Sequence, residues 1–466
     1  MIKASIQYHS TNRFLEKGSS QVFSFGDALL NGLAQDEGLY MPTHLPLLSL
    51  NTLKSLQGAS YAQIASYVLG LFLEGEIPSS DLDKLTQNAY SGALGWEKDV
   101  SLPLEKYAPL RYIARMDQGP TASFKDFAAR FMAQAMQYFR TQDQKLTILV
   151  ATSGDTGSAV GEAFHGLEGI KVFILYPETE VSPIQKNQLD AIGGNVQALC
   201  FEGKFDDCQQ LVKKAFTDPD LKILNLTSAN SINIGRVLPQ VVYYIYMYLQ
   251  SASQVGEEVN FCIPSGNLGN SLGAEIARRM GLPIRKIIIG TNENKAFPDF
   301  LQTGVYQKIS PSHNCISNAM NVGNPSNLAR YFDLYGGTVD KNGIVHRSPD
   351  FAEIQKHLVG YSFSDEATTQ KMKDFYAQYQ IIIEPHGAIG ILAAEQYLAE
   401  NPEEASYPLV ILETAHPAKF GEIVEDVLNI KAPICKALEQ TKNRSKHNIA
   451  LESDYETFKE FLLKNK

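Results

Sequence analysis

Lys125 is the residue in this sequence best suited to covalent chemistry. It lies in the stretch Gln118-Gly119-Pro120-Thr121-Ala122-Ser123-Phe124-Lys125-Asp126-Phe127, which opens on a Gly-Pro turn and carries Thr and Ser, both residues that cap helices. Residues 124–140 then read as a helix rich in Ala, Met and Gln. Lys125 therefore falls in a first helical turn, where the positive end of the macrodipole disfavours another positive charge. The same field lowers an amine's pKa and favours a neutral nucleophile. Phe124, Phe127 and Phe131 predict apolar surroundings. A solvated surface lysine is the competing reading, and the aromatic escort counts against it.

Four other segments place polar groups at predicted strand or helix ends. Ser153-Gly154-Asp155-Thr156-Gly157 follows an apolar run and opens a helix, where N–H groups suit a carboxylate or phosphate. A tight turn with an Asp cap explains it equally well. Pro264-Ser265-Gly266-Asn267-Leu268-Gly269-Asn270 has glycine spacing that lets successive N–H groups form an anion nest, without the Lys-Ser/Thr ending of a Walker loop. Asn230-Ser231-Ile232-Asn233-Ile234-Gly235-Arg236 brings amides, a hydroxyl and a guanidinium to a helix start. The arginine could clamp a phosphate there, or lie at the surface of a capped helix. Thr414-Ala415-His416-Pro417-Ala418-Lys419-Phe420 gathers a hydroxyl, an imidazole and an ammonium, or is a strand-end turn at proline. A pyridoxal phosphate enzyme needs a lysine to hold the cofactor, a cradle for its phosphate and a group at the pyridine nitrogen. Lys125 and the Gly266 nest supply the first two; spacing does not name a substrate.

The elements that would position these groups alternate between strand and helix. Strands are expected over 146–152, 171–176, 196–201, 222–226, 259–263 and 284–290, and helices over 158–167, 182–192, 205–216, 232–251 and 271–280. The strands are short continuous apolar runs, as in a parallel sheet covered on both faces. Before them, residues 1–98 read as a separate unit with helices over 24–33 and 61–73, and with Trp96 packing near its boundary. After a loop-rich stretch over 297–350, helices are expected over 351–357, 365–379 and 388–398, and strands over 381–384 and 409–413. An amphipathic helix over 454–466 closes the chain, packed on the surface.

The 466 residues, 44% hydrophobic, predict two to three domains. A formal net charge of −10 argues against nucleic acid or an anionic membrane as main partner. Five cysteines without a CxxC pair, and nine histidines without ligand spacing, predict no disulfide framework and no metal site. Cys200 and Cys262 lie in apolar runs and read as small buried hydrophobes. Residues 1–5 begin no apolar leader, and the apolar run over 241–249 is too short to span a bilayer. A soluble, cytoplasmic protein is expected.

In order along the chain, Gly38-Leu39-Tyr40 with Pro42, Gly119-Pro120-Thr121, Phe124-Lys125-Asp126, residues 151–157, Leu175-Tyr176-Pro177, Phe205-Asp206-Asp207-Cys208, Asn230 to Asn233 with Gly235-Arg236, Gly266-Asn267 with Gly269, Pro325-Ser326-Asn327 and residues 414–420 resemble the threonine synthases of bacterial and fungal type. The resemblance implies a fold-type-II pyridoxal phosphate enzyme of α/β class, similar to the tryptophan synthase β subunit. Largely parallel twisted sheets would be flanked by helices, with an additional N-terminal domain. It implies domains over 1–98, over 99–145 with 265–466 for the large cofactor-binding unit, and over 146–264 for a smaller α/β unit. It implies conversion of O-phospho-L-homoserine and water to L-threonine and phosphate, in the cytoplasm, by a monomer or homodimer that binds no nucleic acid or membrane. Lys125 would hold the cofactor covalently and move protons at Cα, Cβ and C4′. Phe124 would pack near the cofactor ring, Gly266, Asn267, Leu268 and Gly269 would hold its phosphate, and Thr414 would face the pyridine nitrogen. Ser153, Gly154, Asp155 and Thr156 would meet the substrate carboxylate and neighbouring groups, and Ser231, Asn233, Arg236 and Lys419 the substrate phosphate. The chain departs from the family pattern at Gln118, where a His is usual, at Ala122-Ser123, at Leu268 and Asn270, and at Asn318 and Asn321. Another fold-type-II lyase, such as a threonine or serine dehydratase, and a non-catalytic homologue that binds a phosphorylated metabolite are the alternatives.

Overall fold

The structure, a computed structural model, describes residues 5–92, 96, 100 and 102–466. Residues 1–4, the first part of the start where no apolar leader is expected, and the domain boundary expected at 98/99 lie outside the described residues. Two parallel sheets organise the rest. The larger has six strands in the order Leu358–Ser362, Ile284–Thr291, Val259–Pro264, Leu409–Glu413, Arg111–Arg115 and Leu104–Ala108. Its pairs are parallel except the last, an antiparallel hairpin. The smaller runs Asn448–Leu451, Val196–Phe201, Ile170–Pro177, Leu146–Ala151 and Leu226–Ser228, all parallel.

Every residue of Leu146–Ala151, Val259–Pro264 and Leu409–Glu413 is buried, so these strands read in the sequence as mainly apolar runs, with Thr147, Asn260 and Glu413 as the polar members. All three point their carboxyl ends at a polar loop: residues 152–157 after the first, 265–269 after the second and Thr414 after the third. That is where open α/β sheets place ligands.

The N-terminal unit packs directly on the helix that carries Lys125. In that helix, Lys125–Phe139, Phe127 contacts Tyr61 and Trp96 at ring-centroid distances of 5.2 and 5.3 Å. Tyr90 also donates its hydroxyl to the Phe127 carbonyl at 2.8 Å. Each such aromatic pair adds about 1 kcal/mol beyond the area it buries. The aromatic escort that sets Lys125 apart in the sequence is thus split by helical geometry: Phe124 stays beside the amine, while Phe127 and Phe131 join the core.

Several local expectations change. Residues 222–226 do not form a strand: Pro219–Leu224 is a 3-10 helix, and the strand begins at Leu226. Pro219 is tolerated at a helix start and cannot donate to a sheet ladder. The helix expected over 232–251 is a 3-10 turn, Ile234–Arg236, followed by Pro239–Ser251, because proline again marks a first turn. Residues 381–384 have no strand partner; the Glu384 side chain caps the helix Pro385–Glu400 by accepting the N–H groups of His386 and Gly387. Neither Thr121 nor Ser123 caps the Lys125 helix: its N-cap is Phe124, and Thr121 donates instead to Asp126 in the first turn, at 2.8 Å. The helix after residues 153–157 begins at Asp155, three residues before its expected start. The closing helix, Tyr455–Lys464, buries Phe458 and Leu462 against the smaller sheet, where Phe461 meets Phe173 and Phe458 meets Phe201.

Candidate active site

A cavity of about 520 Å³ is lined from the carboxyl ends of both sheets. Phe124, Lys125, Ser153, Asp155, Thr156, Ser231, Arg236, Gly266, Asn267, Gly269 and Thr414 all face it. Gly154, Asn233, Leu268 and Lys419 do not. Residues spread from 124 to 414 thereby share one chamber.

Lys125 is the first helical residue, and its Nζ lies 4.9 Å from the centre of the Phe124 ring and 3.5 Å from Asp155 Oδ2. Burial lowers the pKa of this amine; Asp155 opposes that shift, while Lys419 and Arg236 reinforce it. Asp155 is held from three sides. Lys419 Nζ is 2.7 Å from Oδ1, Gln185 Nε2 donates to Oδ1 at 2.9 Å, and Lys125 meets Oδ2. Burial would raise this carboxyl, but the two ammonium groups hold it well below the usual carboxylate range. Asp155 therefore answers the two lysines; its charge would repel a substrate carboxylate. Lys419 is fully buried behind it and also donates to the Thr121 carbonyl at 2.9 Å.

The turn before Asp155 is shaped by Thr152, whose hydroxyl accepts the N–H groups of Gly154 and Gly157, each at 2.9 Å. Gly154 has φ +127, a conformation other residues rarely adopt, and a Cβ there would meet Gln185 Cδ at 2.4 Å. This glycine brings Gln185 onto Asp155 and leaves Ser153 and Thr156 facing the cavity.

The glycine loop fits a phosphate. Among the described residues, no N–H of Gly266, Asn267, Leu268 or Gly269 has a backbone or side-chain acceptor, and the helix Gly269–Met280 starts at the loop's end. Unspent donors at a helix start form an anion seat. A Cβ on Gly266 would meet the Ala319 carbonyl oxygen at 2.5 Å, so only glycine lets the loop lie against that wall. Leu268 sits at φ +61 with its side chain buried; its place in the loop is structural. Asn267 ties the loop to its neighbours. Its Nδ2 donates to Ser231 Oγ at 2.8 Å, and its Oδ1 accepts from the Ser326 N–H at 2.6 Å.

Arg236 gives the cavity a second cationic wall. It is buried, Nη1 donates to the Ala229 carbonyl at 2.6 Å, and Nε has no partner. Burial pushes its guanidinium down to about 10. Asn233 is scaffold: it donates to the carbonyls of Leu29 and Ser228, at 2.8 and 2.9 Å. Thr414 places its carbonyl on the Phe124 N–H at 2.9 Å and so fixes the residue before the lysine. Sequence reasoning assigned no role in the site to Gln185 or to His386. His386 lines the cavity and accepts the Ala319 N–H at 3.2 Å, while its other nitrogen meets Glu384. A His two residues after a buried Glu at a helix start is a faint signal at most. Among the described residues, no cluster of His, Cys, Asp or Glu is arranged to hold a metal ion, and no helix is long and apolar enough to cross a membrane.

A largely buried lysine and an anion-seating glycine loop, facing one cavity at the carboxyl ends of two mainly parallel sheets, define a fold-type-II pyridoxal phosphate enzyme. Profiles described as "Threonine synthase N terminus", "Pyridoxal-phosphate dependent enzyme" and "Threonine synthase, C-terminal" match residues 7–90, 103–413 and 387–462. The threonine synthase of Haemophilus influenzae is 36% identical over 455 residues, covering 97% of this chain and 100% of that one. The crystal structure of PLP-bound threonine synthase from Brucella melitensis superposes with a TM-score of 0.88 at 33% identity, over 98% of this chain and 99% of that one. The crystal structure of threonine synthase from Escherichia coli gives 0.86 at 31%, over 99% and 100%. The chain belongs to the threonine synthase family and is a pyridoxal-phosphate-dependent lyase of threonine biosynthesis.

Proposed function

We propose that this chain converts O-phospho-L-homoserine and water to L-threonine and phosphate. The observation that carries this substrate is the second anion seat: buried Arg236, with Nε unpaired, faces the same cavity as the Gly266 loop. Residues Gly266 to Gly269 hold the cofactor phosphate, Lys125 holds the cofactor covalently beside Phe124, and Thr414 faces the ring nitrogen. Arg236 and Ser231 take the substrate phosphate, and Ser153 and Thr156 the α-carboxylate. Asn233, Gly154 and Leu268 shape these loops from behind.

Bound pyridoxal phosphate supplies the electron withdrawal that acidifies the substrate Cα. Lys125 Nζ removes the Cα proton and then one from Cβ, while phosphate departs from Cγ toward Arg236. A proton delivered to Cγ makes Cβ electrophilic, water adds there and gives up one of its protons, and a proton returned to Cα completes threonine. Asp155 keeps the released Lys125 amine in place between these transfers, and the lowered pKa of that amine favours its neutral, proton-accepting form.

The division expected over 1–98, 99–145 with 265–466, and 146–264 stays a proposal. The strand Asn448–Leu451 pairs within the smaller sheet, which supports counting the end of the chain with the smaller unit. We place the enzyme in the cytoplasm as a monomer or homodimer. The decisive assay compares phosphate release from O-phospho-L-homoserine with ammonia release from L-threonine, each with and without added cofactor. Cofactor-dependent phosphate release is expected; ammonia release alone would make the chain a dehydratase, and neither would make it a binding protein.

A further inference from the structure

Arg330, in the helix Leu328–Leu334, is fully buried, and every group it bonds to is neutral. Its Nε donates to the Tyr40 carbonyl at 3.0 Å and its Nη2 to the Ile232 carbonyl at 2.6 Å. Nη1 donates both to the Ser231 carbonyl at 2.8 Å and to Asn327 Oδ1 at 2.6 Å. Asn327 in turn donates to the Asn267 carbonyl at 2.9 Å, and Asn267 donates to Ser231 Oγ at 2.8 Å. Asn267, Ser231, Arg330 and Asn327 thus close a ring of hydrogen bonds.

A cation this deep is costly: burial pushes the guanidinium down to about 9, with Asp333 opposing. Asp333 is engaged by His9 at 2.9 Å and by Arg13, so it offers no direct carboxylate partner to Arg330. Packing alone does not require a charge here, since a neutral side chain could fill the space. What the guanidinium uniquely supplies is a planar fork reaching three backbone carbonyls and one amide at once. Two of those carbonyls belong to residues 231 and 232, and the amide anchors the glycine loop.

We propose that Arg330 is a positioning residue that couples the seat of the cofactor phosphate to the seat of the substrate phosphate, and ties both to the N-terminal unit through Tyr40. The proposal rests on assigning Gly266 to Gly269 and Ser231 to those two phosphates. Because the ring is closed, ordering one loop orders the other, and binding at either seat strengthens binding at the other by the same factor. The positive charge behind both loops favours anions at each.

The test uses Arg330→Gln, Asn327→Ala and Asn267→Ala in the full chain. Two constants are measured: pyridoxal phosphate affinity, by absorbance and fluorescence titration of cofactor-stripped protein, and the inhibition constant of inorganic phosphate on the holoenzyme. In the unaltered protein, saturating phosphate should slow cofactor dissociation. Arg330→Gln should weaken both constants at least tenfold and abolish the slowing. Asn327→Ala, which opens the ring without touching the charge, should weaken both about threefold or more and serves if Arg330→Gln does not fold. Lowered melting temperature with both constants within twofold of the unaltered protein would overturn the proposal. If Asn267→Ala leaves cofactor affinity unchanged, the cradle assignment falls and the ring with it. If Asn267→Ala weakens cofactor binding while the other two variants do not, only the ring is overturned.

Discussion

Lys419 Nζ stands 2.7 Å from Asp155 Oδ1 although 264 residues separate them, and neither side chain is more than 3% exposed. The pair joins the last loop of the larger sheet to the first loop of the smaller, and the same Asp155 meets Lys125 through its other oxygen. Lys419→Met should leave Asp155 short of its main counter-charge and cost about 3 kcal/mol, as expected when one partner of a buried pair is removed. Denaturant unfolding followed by circular dichroism would measure it, and a loss under about 1 kcal/mol would show the pair to be dispensable.

The same pair predicts a pH dependence. The folded Asp155 carboxyl is held below its ordinary range, so the unfolded chain takes up this proton first as pH falls. Its contribution is complete above the unfolded value of about 4 and is lost as pH falls toward the folded one. Asp155→Asn should therefore flatten the rise of unfolding free energy with pH below about 4 by one proton's worth, relative to the unaltered chain. Parallel curves for the two proteins in that window would contradict the assignment.

Lys125→Ala should abolish phosphate release and the absorption band of covalently held cofactor together, because one amine serves both. Scanning the purified protein between 300 and 500 nm on the order of minutes after cofactor addition checks the second readout independently of turnover. Phosphate release at the unaltered rate would remove Lys125 from the mechanism.

Gly266→Ala should weaken cofactor binding about tenfold while the fold persists. Its Cβ would meet two backbone atoms, the Ala319 carbonyl oxygen at 2.5 Å and Met320 Cα at 2.8 Å, and neither can rotate away as a side-chain tip could. The loop must shift instead, and its N–H groups then no longer converge, at a cost of about 1.4 kcal/mol for that tenfold. Spectroscopic titration with pyridoxal phosphate gives the constant directly; an unchanged value would place the cofactor phosphate elsewhere.

Much of this site was legible because its parts are local. Lys125 at a helix start, the glycine loop after a buried strand and Thr414 at a strand end each carry a short signature, and parallel strands announce themselves by mainly apolar runs. Contacts between distant segments leave no such trace. Lys419 was expected at the substrate phosphate from its neighbourhood in sequence, yet its ammonium turns inward to Asp155 and Thr121. Arg330 bonds to three backbone carbonyls, which any residue could offer, so nothing in the sequence marks its partners. Strand Asn448–Leu451 was missed for a related reason: as an edge strand exposed over most of its length it lacks an apolar run.

Gln118, where the family usually has His, departs from the family pattern seven residues before Lys125. The structure turns it outward: it is exposed, does not line the cavity, and donates Nε2 to Asp117 Oδ1 at 2.9 Å. Asp117 is itself buried and paired with Arg115 Nη2 at 2.7 Å. A histidine at 118 could donate one ring nitrogen to the same carboxylate, so Gln118→His should preserve that contact. Stability should stay within about 0.5 kcal/mol, as for surface substitutions generally. Turnover of O-phospho-L-homoserine should stay within about twofold, a change of about 0.4 kcal/mol in barrier. A large gain in kcat on introducing His would mean that residue 118 reaches the reacting atoms after all, through a movement of residues 117–121 when substrate binds. Steady-state kinetics of the single variant, set beside the unaltered enzyme at two pH values, decides between a spectator and a lost catalytic group.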